Sequence, residues 1–367
     1  KRVLILVDDY TRNTPVSLIL PEVLAELKSA GVEGKNIRLL VASGTHRPMT
    51  AEEKLKKVGA QVVENYTILD HRCNDLNQLV FLPPPPGGTE VWINRAMLES
   101  DFVIGIGHIV PHRVAGFSGG SKIIVPGVSG AKTTGQTHWL SAQYTGFEII
   151  GKVNNPVRQE IEAVARMAGL SFIVNAVLDG KGRLVDCFCG DPVAAFQAGA
   201  RLALDIFGVP LSAPADIVIA DSNPANIDMW QASKAVYSSD LALKQGGILI
   251  LVTPCPEGVS SEFPQILEIG YHSFSEVNAF VAQGRITDLT LAAHLVHVGR
   301  VIREKSTCIL VSSGIDGETA ARIGFEWAAT PQYALDLALE RKGKNASIAV
   351  LRNGGEIMPI VGGANDD

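Results

Sequence analysis

Three polar segments in the N-terminal half of the chain combine histidine, arginine and aspartate. They are Asp8-Asp9-Tyr10-Thr11-Arg12, Ser43-Gly44-Thr45-His46-Arg47 and Gly107-His108-Ile109-Val110-Pro111-His112-Arg113. Arginine binds carboxylates through paired hydrogen bonds, and histidine is the commonest general acid or base. Together the segments indicate binding of an anionic substrate with acid–base chemistry. Singly they are weaker evidence, because Asp8-Asp9 also suits a solvated turn and a lone histidine is more often structural than catalytic.

A fourth segment, Ser118-Gly119-Gly120-Ser121-Lys122, is rich in glycine. The backbone N–H groups of such a turn can hold a phosphate. The segment departs from the P-loop pattern, which needs Gly-Lys followed by Ser or Thr, because Ser121 precedes Lys122 and Ile123 follows it. A P-loop nucleotidase is therefore a poor fit, and a tight surface loop with a solvated lysine is the simpler alternative.

Two further features are ambiguous when taken alone. His138 lies beside Trp139, where a structural role is more common than a metal ligand. Gln231 and Lys234 are three residues apart and share one face of a predicted helix. That pair could close over a ligand or simply lie on the helix surface.

The first three polar segments each follow a short, mostly apolar run, at residues 2–7, 37–42 and 101–106. Such runs are typical of parallel strands that are buried on both faces. Functional groups in open α/β sheets gather beyond the carboxyl ends of the strands, so we expect the three segments along one sheet edge. Thr14 is the predicted N-cap of the helix that follows the first strand. Thr50 and Glu53 predict a capping box at the start of the helix that follows the second strand.

Similar apolar runs recur at residues 216–220, 247–252, 308–311 and 347–351, with helical segments between them. The length of 367 residues exceeds one domain of about 100–200 residues. We predict an α/β fold with two α/β domains, mainly parallel sheets and the active site in the cleft between them. Residues 1–207 form the domain with the cofactor lysine and catalytic histidines, residues 208–352 close the cleft, and residues 353–367 return to the first domain.

Composition excludes several functional classes. The net charge of −6 disfavours nucleic-acid binding, which needs a basic surface. No apolar run reaches the roughly 18 residues that a membrane span needs. The five cysteines are too few and scattered for a disulfide framework, which indicates a reduced, cytoplasmic protein. We expect a small anionic molecule as the partner.

These segments, taken in order, resemble the nickel-pincer lactate racemase family of 2-hydroxy acid racemases and epimerases. The resemblance rests on Asp9-x-x-Arg12, Gly44-Thr45-His46-Arg47, His108 to His112, Ser118-Gly119-Gly120-x-Lys122, His138 and Gln231-x-x-Lys234. No single motif is specific, but the ordered set is.

The family's cofactor is a pyridinium-3-thioamide-5-thiocarboxylic acid mononucleotide, which holds nickel through one carbon and two sulfurs. The resemblance implies that Lys122 bears this nucleotide covalently and that His138 ligates the nickel. It also implies further cofactor contacts from Asp9, Arg12, Ser118, Gly119 and Gly120. His46 and His112 would be the acid–base residues. Arg12, Gln231 and Lys234 would contact the substrate. Enzymes that make the cofactor are implied partners.

The implied reaction removes hydride from C2 and a proton from the hydroxyl of a 2-hydroxy acid, and returns the hydride to the opposite face of the 2-keto acid. One base is needed for each enantiomer, which explains two histidines. The family includes substrates as different as lactate, longer aliphatic acids, diacids and sugar acids, so the substrate stays open. Arg113 is either a partner for a second carboxylate or a surface charge.

The sequence departs from the family at Asn13, where proline is common, and relatives carry a segment before the position of Lys1, so we expect the first domain to be incomplete. Two other functions stay open. A noncatalytic cofactor-binding protein would keep residues 118–122 without needing His46 and His112. A metal-dependent hydrolase would use His108, His112 and His138, although Pro111 argues against the helix that a His-x-x-x-His site needs.

Overall fold

The computed structural model describes residues 1–362, which form two compact units. Unit 1 comprises residues 1–141 and 151–206, and unit 2 comprises residues 142–150 and the chain from Phe207 onward. None of the helices in the described part of the chain has the length and apolar character needed to cross a membrane.

Seventeen strands are present among residues 1–362. They are β1 (Val3–Asp8), β2 (Ile37–Ala42), β3 (Thr67–Asp70), β4 (Leu79–Leu82), β5 (Val91–Asn94), β6 (Phe102–His108), β7 (Pro111–His112), β8 (Gly116–Phe117), β9 (Leu170–Leu178), β10 (Leu184–Gly190), β11 (Gly208–Leu211), β12 (Ala215–Asp221), β13 (Leu243–Val252), β14 (Thr307–Val311), β15 (Glu326–Trp327), β16 (Ile348–Leu351) and β17 (Met358–Val361).

Thirteen α-helices alternate with these strands over the same residues. They are α1 (Val16–Ser29), α2 (Ala51–Val58), α3 (Ala60–Asn65), α4 (Ala131–Ala142), α5 (Gly146–Ile149), α6 (Pro156–Met167), α7 (Ala194–Phe207), α8 (Met229–Ala242), α9 (Ile266–Ile269), α10 (Phe274–Ala282), α11 (Leu289–Gly299), α12 (Gly317–Ile323) and α13 (Pro331–Lys342). Short 3-10 helices cover Gly34–Asn36, Arg95–Met97 and Gly120–Ile123, and a π-helical turn covers Arg300–Lys305.

Unit 1 is built on a six-stranded sheet in the order β10-β9-β6-β1-β2-β3, parallel except for β10. Strand β1 lies between β6 and β2, with Val7 opposite both Ile106 and Val41. All six residues of β1 are buried, as the apolar run predicts. The three polar segments therefore follow three neighbouring strands at one sheet edge, and that prediction is confirmed.

Two predicted caps at this edge have different outcomes. Thr50 and Glu53 form the predicted capping box at the start of α2. Thr14 does not cap α1, which begins at Val16 after Pro15. Its hydroxyl instead bonds to Asp8 and His108, so the side chain is engaged by these two residues and not by a helix N–H.

Unit 2 is built on a five-stranded parallel sheet in the order β15-β14-β13-β12-β16. The four apolar runs of the C-terminal half supply β12, β13, β14 and β16, as predicted. A separate parallel pair joins β11 and β17. The fold class is therefore α/β with mainly parallel sheets, as predicted.

The division into units differs from the predicted domains in two places. Residues 142–150 belong to unit 2 although they lie within the predicted first domain. Strand Met358–Val361 pairs with Gly208–Leu211 inside unit 2, whereas we predicted that residues 353–367 return to the first domain. A four-residue apolar run does not reveal its pairing partner. Residues 363–367 lie outside the described residues.

Candidate active site

A carboxylate–histidine pair joins the first two polar segments. One oxygen of Asp9 accepts hydrogen bonds from the Thr11 N–H and hydroxyl at 3.0 and 2.6 Å, and the other lies 2.7 Å from His46 Nδ1. Burial raises the pKa of Asp9, but the hydrogen bond with His46 and the charges of His46 and Arg12 leave the pKa below its ordinary value. An ionised Asp9 can only accept, so His46 donates from Nδ1. Neutral His46 then carries its lone pair on Nε2, as a general base must.

The loops around this pair are held by charged contacts. The Arg47 guanidinium lies over the Tyr10 ring at 4.2 Å and binds both oxygens of Glu53 at 2.8 and 2.6 Å. Its charge therefore holds the loop that carries His46. Arg12 is only partly buried, and its Nη1 donates to the Thr11 hydroxyl at 2.9 Å.

A second network lies beneath the same turn. Lys57 Nζ is 2.6 Å from Asp8 Oδ1 and donates to the Arg12 carbonyl at 2.9 Å. The Thr14 hydroxyl bonds to the other Asp8 oxygen and lies 2.8 Å from His108 Nδ1. Burial opposes ionisation of Asp8, but Lys57 and His108 lower its pKa to about 2. Sequence reasoning missed Lys57, which is one of several lysines in α2 and gives no local signal.

The third polar segment forms a hairpin of β7 and β8. The Val114 N–H donates to His112 Nδ1 at 3.0 Å, so neutral His112 carries its proton on Nε2. His112 and His46 thus hold opposite tautomers. Arg113 is 7 % exposed, which excludes the surface-charge alternative.

The glycine-rich segment is fixed from beneath. The Ser118 hydroxyl donates to the His108 carbonyl at 2.8 Å, and buried Arg158 donates to the carbonyls of Ala115 and Gly119 at 3.2 and 3.1 Å. Burial lowers the pKa of Arg158 to about 10, which keeps it charged at neutral pH. Sequence reasoning missed Arg158, whose position in α6 resembles an ordinary surface site.

Gly119 and Gly120 adopt positive φ angles of 74° and 57°. A Cβ at Gly119 would lie 2.7 Å from Ile109, and one at Gly120 would lie 2.9 Å from Phe196, so larger residues do not fit. Three N–H groups of the segment are already bonded internally: Ser118 to Val110, Gly120 to Asn175 and Lys122 to Gly119. The segment therefore holds Lys122 in place more than it offers an open phosphate cradle.

Lys122 and His138 influence one another electrostatically although they lie on different elements. Lys122 is in the 3-10 helix Gly120–Ile123, and His138 is in α4. His138 Nδ1 donates to the Thr134 carbonyl at 2.8 Å. Burial, and then the Lys122 charge, lower the pKa of His138 to about 4. A neutral imidazole whose Nδ1–H is bonded to a carbonyl presents Nε2 as a metal ligand, so the donor fits nickel.

Protein side chains alone do not form a metal centre among residues 1–362. No group of three or more His, Cys, Asp and Glu side chains there is arranged to hold an ion. The arrangement of His108, His112 and His138 that a hydrolase would need therefore gains no support. A metal at His138 would need ligands from outside the protein side chains described.

Gln231 and Lys234 lie in unit 2, in the first two turns of α8, and their spacing predicted that they share one helix. Asp228 caps this helix by accepting from the Gln231 N–H at 2.8 Å. The intervening Trp230 is stacked between Phe263 and His294, with ring centroids at 4.3 and 3.8 Å. The start of the helix is thus rigidly held.

Comparison with known families and proteins places these residues in context. Residues 1–146 match the lactate racemase N-terminal domain, and residues 211–359 match the lactate racemase C-terminal domain. A lactate racemase of Lactiplantibacillus plantarum is 30% identical, with 96% of this chain and 83% of that protein covered. A lactate racemase of Thermoanaerobacterium thermosaccharolyticum is 31% identical, with 71% of this chain and 62% of that protein covered.

Solved structures give the same picture. The lactate racemase apoprotein of Thermoanaerobacterium thermosaccharolyticum matches with a TM-score of 0.89 and 27% identity, covering 98% of this chain and 87% of that chain. A protein of Thermotoga maritima matches with a TM-score of 0.79 and 23% identity over 99% and 94% of the two chains. The second match shows a shared fold alone.

Proposed function

This chain belongs to the lactate racemase family, and we propose that it is an isomerase that racemises or epimerises a lactate-like 2-hydroxy acid. The observation that carries the proposal is the ionised Asp9 hydrogen-bonded to His46 Nδ1, at the sheet edge that also bears Arg12. A carboxylate-backed imidazole with Nε2 available is suited to removing the hydroxyl proton.

We further propose that a nickel-pincer nucleotide is the cofactor, bound covalently to Lys122 with His138 Nε2 as the nickel ligand. The neutral state of His138 and its anchored Nδ1 support this assignment. When bound, the cofactor supplies an acceptor for the hydride of C2. The Ser118–Gly120 segment fixes the backbone next to Lys122, and the rigid loop limits the positions that the amine can take.

The side chains of unit 1 would divide the remaining work. Arg12 holds the substrate carboxylate, and Lys57 fixes the Arg12 carbonyl from the other side of the turn. His46 Nε2 takes the hydroxyl proton, and ionised Asp9 stabilises the imidazolium that forms. The resulting 2-keto acid rotates, and its oxygen then receives a proton as its other face is reduced.

His112 would serve the opposite enantiomer. In the conformation described here it presents an N–H at Nε2, because Val114 occupies the Nδ1 lone pair. To act as a base at Nε2, His112 has to give up that hydrogen bond and move its proton to Nδ1. The base for one enantiomer, His46, therefore already has its lone pair on Nε2, whereas the base for the other, His112, has to change tautomer first.

The family resemblance assigns Gln231 and Lys234 of unit 2 as further substrate contacts. We also propose that the protein acts in the cytoplasm, where cofactor-making enzymes load it. A noncatalytic cofactor-binding role is less favoured, because cofactor storage has no use for the Asp9–His46 pair.

The test is turnover of D- and L-lactate labelled with deuterium at C2, in ordinary water, after expression alongside cofactor-making enzymes. Direct hydride return predicts that the label stays at C2 through inversion. Loss of the label to solvent at the rate of inversion would indicate a carbanion and contradict the proposal. His138→Ala, measured in parallel, should lose nickel while keeping the mass of the attached cofactor.

A further inference from the structure

We propose that His108 is a further ligand-binding residue of this site, whose Nε2 accepts a hydrogen bond from a hydroxyl of the bound ligand. The inference rests on the proposed function, because it places His108 in the same ligand site. The hydroxyl belongs either to the 2-hydroxy acid or to the ribose of the nucleotide.

The first step is the charge state of Asp8. Its Oδ1 is 2.6 Å from the buried ammonium of Lys57, and both side chains are only about a tenth exposed. A carboxylate paired at this distance in a protein interior stays ionised. Asp8 therefore has no proton to donate, and it accepts the hydrogen bond from the Thr14 hydroxyl.

The second step is the proton count at Thr14. A hydroxyl has one proton, and Thr14 uses it in the hydrogen bond that it donates to Asp8. The contact of 2.8 Å between Thr14 Oγ1 and His108 Nδ1 must then be a hydrogen bond from the imidazole to the hydroxyl. His108 is held in the Nδ1–H tautomer by a carboxylate that acts through a hydroxyl.

The third step concerns Nε2, which carries the lone pair in that tautomer. Within residues 1–362 Nε2 makes no hydrogen bond, and it is not among the fully enclosed polar atoms that lack a partner. Nε2 therefore has access to open space. His108 ends β6, and its carbonyl holds Ser118 of the segment that leads to Lys122.

Two other histidines show what a structural imidazole looks like in this protein. His71 has Nε2 2.9 Å from the Ser129 carbonyl and Nδ1 3.2 Å from Asn94 Nδ2. His294 has both nitrogens within 3.2 Å of tyrosine hydroxyls. Both rings are satisfied on both sides. His108 has a protein partner on Nδ1 alone, the Thr14 hydroxyl, so its Nε2 is left for a ligand.

Nitrogen-15 spectra of the histidine side chains at neutral pH test the tautomer without any activity. The wild-type protein should show His108 as Nδ1–H, with the resonance assigned from its loss in His108→Asn. Thr14→Val should release the ring to a mixture of tautomers, and Thr14→Ser, which keeps the hydroxyl, should not. An Nε2–H tautomer in the wild type or in Thr14→Ser would overturn the inference, even if Thr14→Val does not fold.

The same spectra separate the two sources of the hydroxyl. A shift of His108 Nε2 between cofactor-loaded wild type and unloaded Lys122→Ala would identify the ribose, and a shift only on adding D- or L-lactate would identify the substrate. No shift in either comparison would overturn the inference. The nitrogen-15 shift of His108 reports ligand binding and does not depend on turnover. An absence of racemisation would therefore contradict the proposed function and leave the role of His108 standing.

His108→Asn provides the functional arm, because an asparagine amide can still donate to Thr14 while the Nε2 acceptor is gone. For a substrate contact, kcat/KM for lactate should fall about 10-fold with unchanged cofactor loading, the value of one hydrogen bond. For a ribose contact, the loaded fraction in intact-mass spectra should fall instead. Wild-type values for both would contradict the inference.

Discussion

The histidines of the unit 1 sheet edge and His294 of unit 2 use the same side chain in opposite ways. His46 donates from Nδ1 to an ionised carboxylate, and its side chain is 26% exposed. His294 is stacked on Trp230, with its nitrogens 3.1 Å from the Tyr237 hydroxyl and 3.2 Å from the Tyr271 hydroxyl. Burial lowers the pKa of His294 to about 3, so it stays neutral at physiological pH.

The difference shows which features make a histidine useful for chemistry. A charged partner on one nitrogen fixes the tautomer and stabilises the protonated ring, and an open second nitrogen lets it meet a substrate. His294 has a neutral hydroxyl partner on each nitrogen, and its burial disfavours the protonated ring. Substitutions at the sheet edge should therefore affect the reaction, and substitutions around His294 should affect stability.

The largest effect is expected for Lys122→Ala, which removes the proposed attachment point. Racemisation should fall to background, and intact-mass spectra should show no covalent adduct. Lys122→Arg is the matched control, because it keeps the positive charge near His138 but cannot form the thioamide. Activity in either variant would contradict the assignment of Lys122, and circular dichroism should confirm that both are folded.

His46→Gln and His112→Gln should each lower racemisation by about 10²–10⁴-fold in both directions, the usual contribution of a positioned acid–base group. Each histidine accepts a proton in one direction and returns it in the other. Initial rates from D- and L-lactate measure this, with the attached cofactor checked by mass. At a fixed equilibrium constant the kcat/KM values for D- and L-lactate must fall together, and wild-type kcat/KM in either variant would contradict the acid–base role of that histidine.

Lys57→Met should lower the free energy of unfolding by about 3–5 kcal/mol, because it leaves the Asp8 carboxylate buried without its cation. Lys54→Met is the control on the same helix. Its ion pair with Asp70 is 2.6 Å long but about a fifth to a quarter exposed, and should contribute no more than about 1 kcal/mol. Urea unfolding at pH 7 measures the free energy of unfolding of both variants. Equal decreases would show that the buried Lys57–Asp8 pair stabilises the fold no more than the more exposed Lys54–Asp70 pair.

The same pair predicts a pH dependence of stability. The folded pKa of Asp8, about 2, lies below the ordinary 3.8, so ionised Asp8 favours the folded state. Its stabilisation is complete above about pH 4 and is lost as the pH falls towards 2, a change of about 2 kcal/mol. In Lys57→Met the folded pKa of Asp8 should rise towards its ordinary value, so this loss should shrink in acid unfolding curves, and it should change sign if the folded pKa passes the ordinary 3.8.

His294→Phe should have the smallest effect on the reaction. It keeps an aromatic ring against Trp230 but removes the hydrogen bonds that His294 makes with the Tyr237 and Tyr271 hydroxyls, which costs about 1–3 kcal/mol of stability. The activity per folded, loaded molecule should stay within about two-fold, since no proton transfer is lost. A large loss of kcat at unchanged stability would show that the distinction between the two groups of histidines is wrong.

The sequence by itself determined the parallel sheets and the edge at which the site lies. Mostly apolar runs such as residues 37–42 favour strands that are buried on both faces, and parallel strands bring their carboxyl ends together. That rule sufficed to place Asp9 near His46. The ordered motifs then indicated the family, although no single spacing required Lys122 to lie near His138.

Only the tertiary structure decided which partners each polar group has. The local sequence predicts that Thr14 caps a helix, but its hydroxyl donates a hydrogen bond to the ionised Asp8 instead. Lys57 and Arg158 look like surface charges in their helices but are buried against Asp8 and the glycine-rich segment. The tautomers of His46, His108 and His112 follow from such contacts. Hydrogen bonds between residues distant in the chain leave no periodic trace in the sequence, so the fold alone assigns these protons.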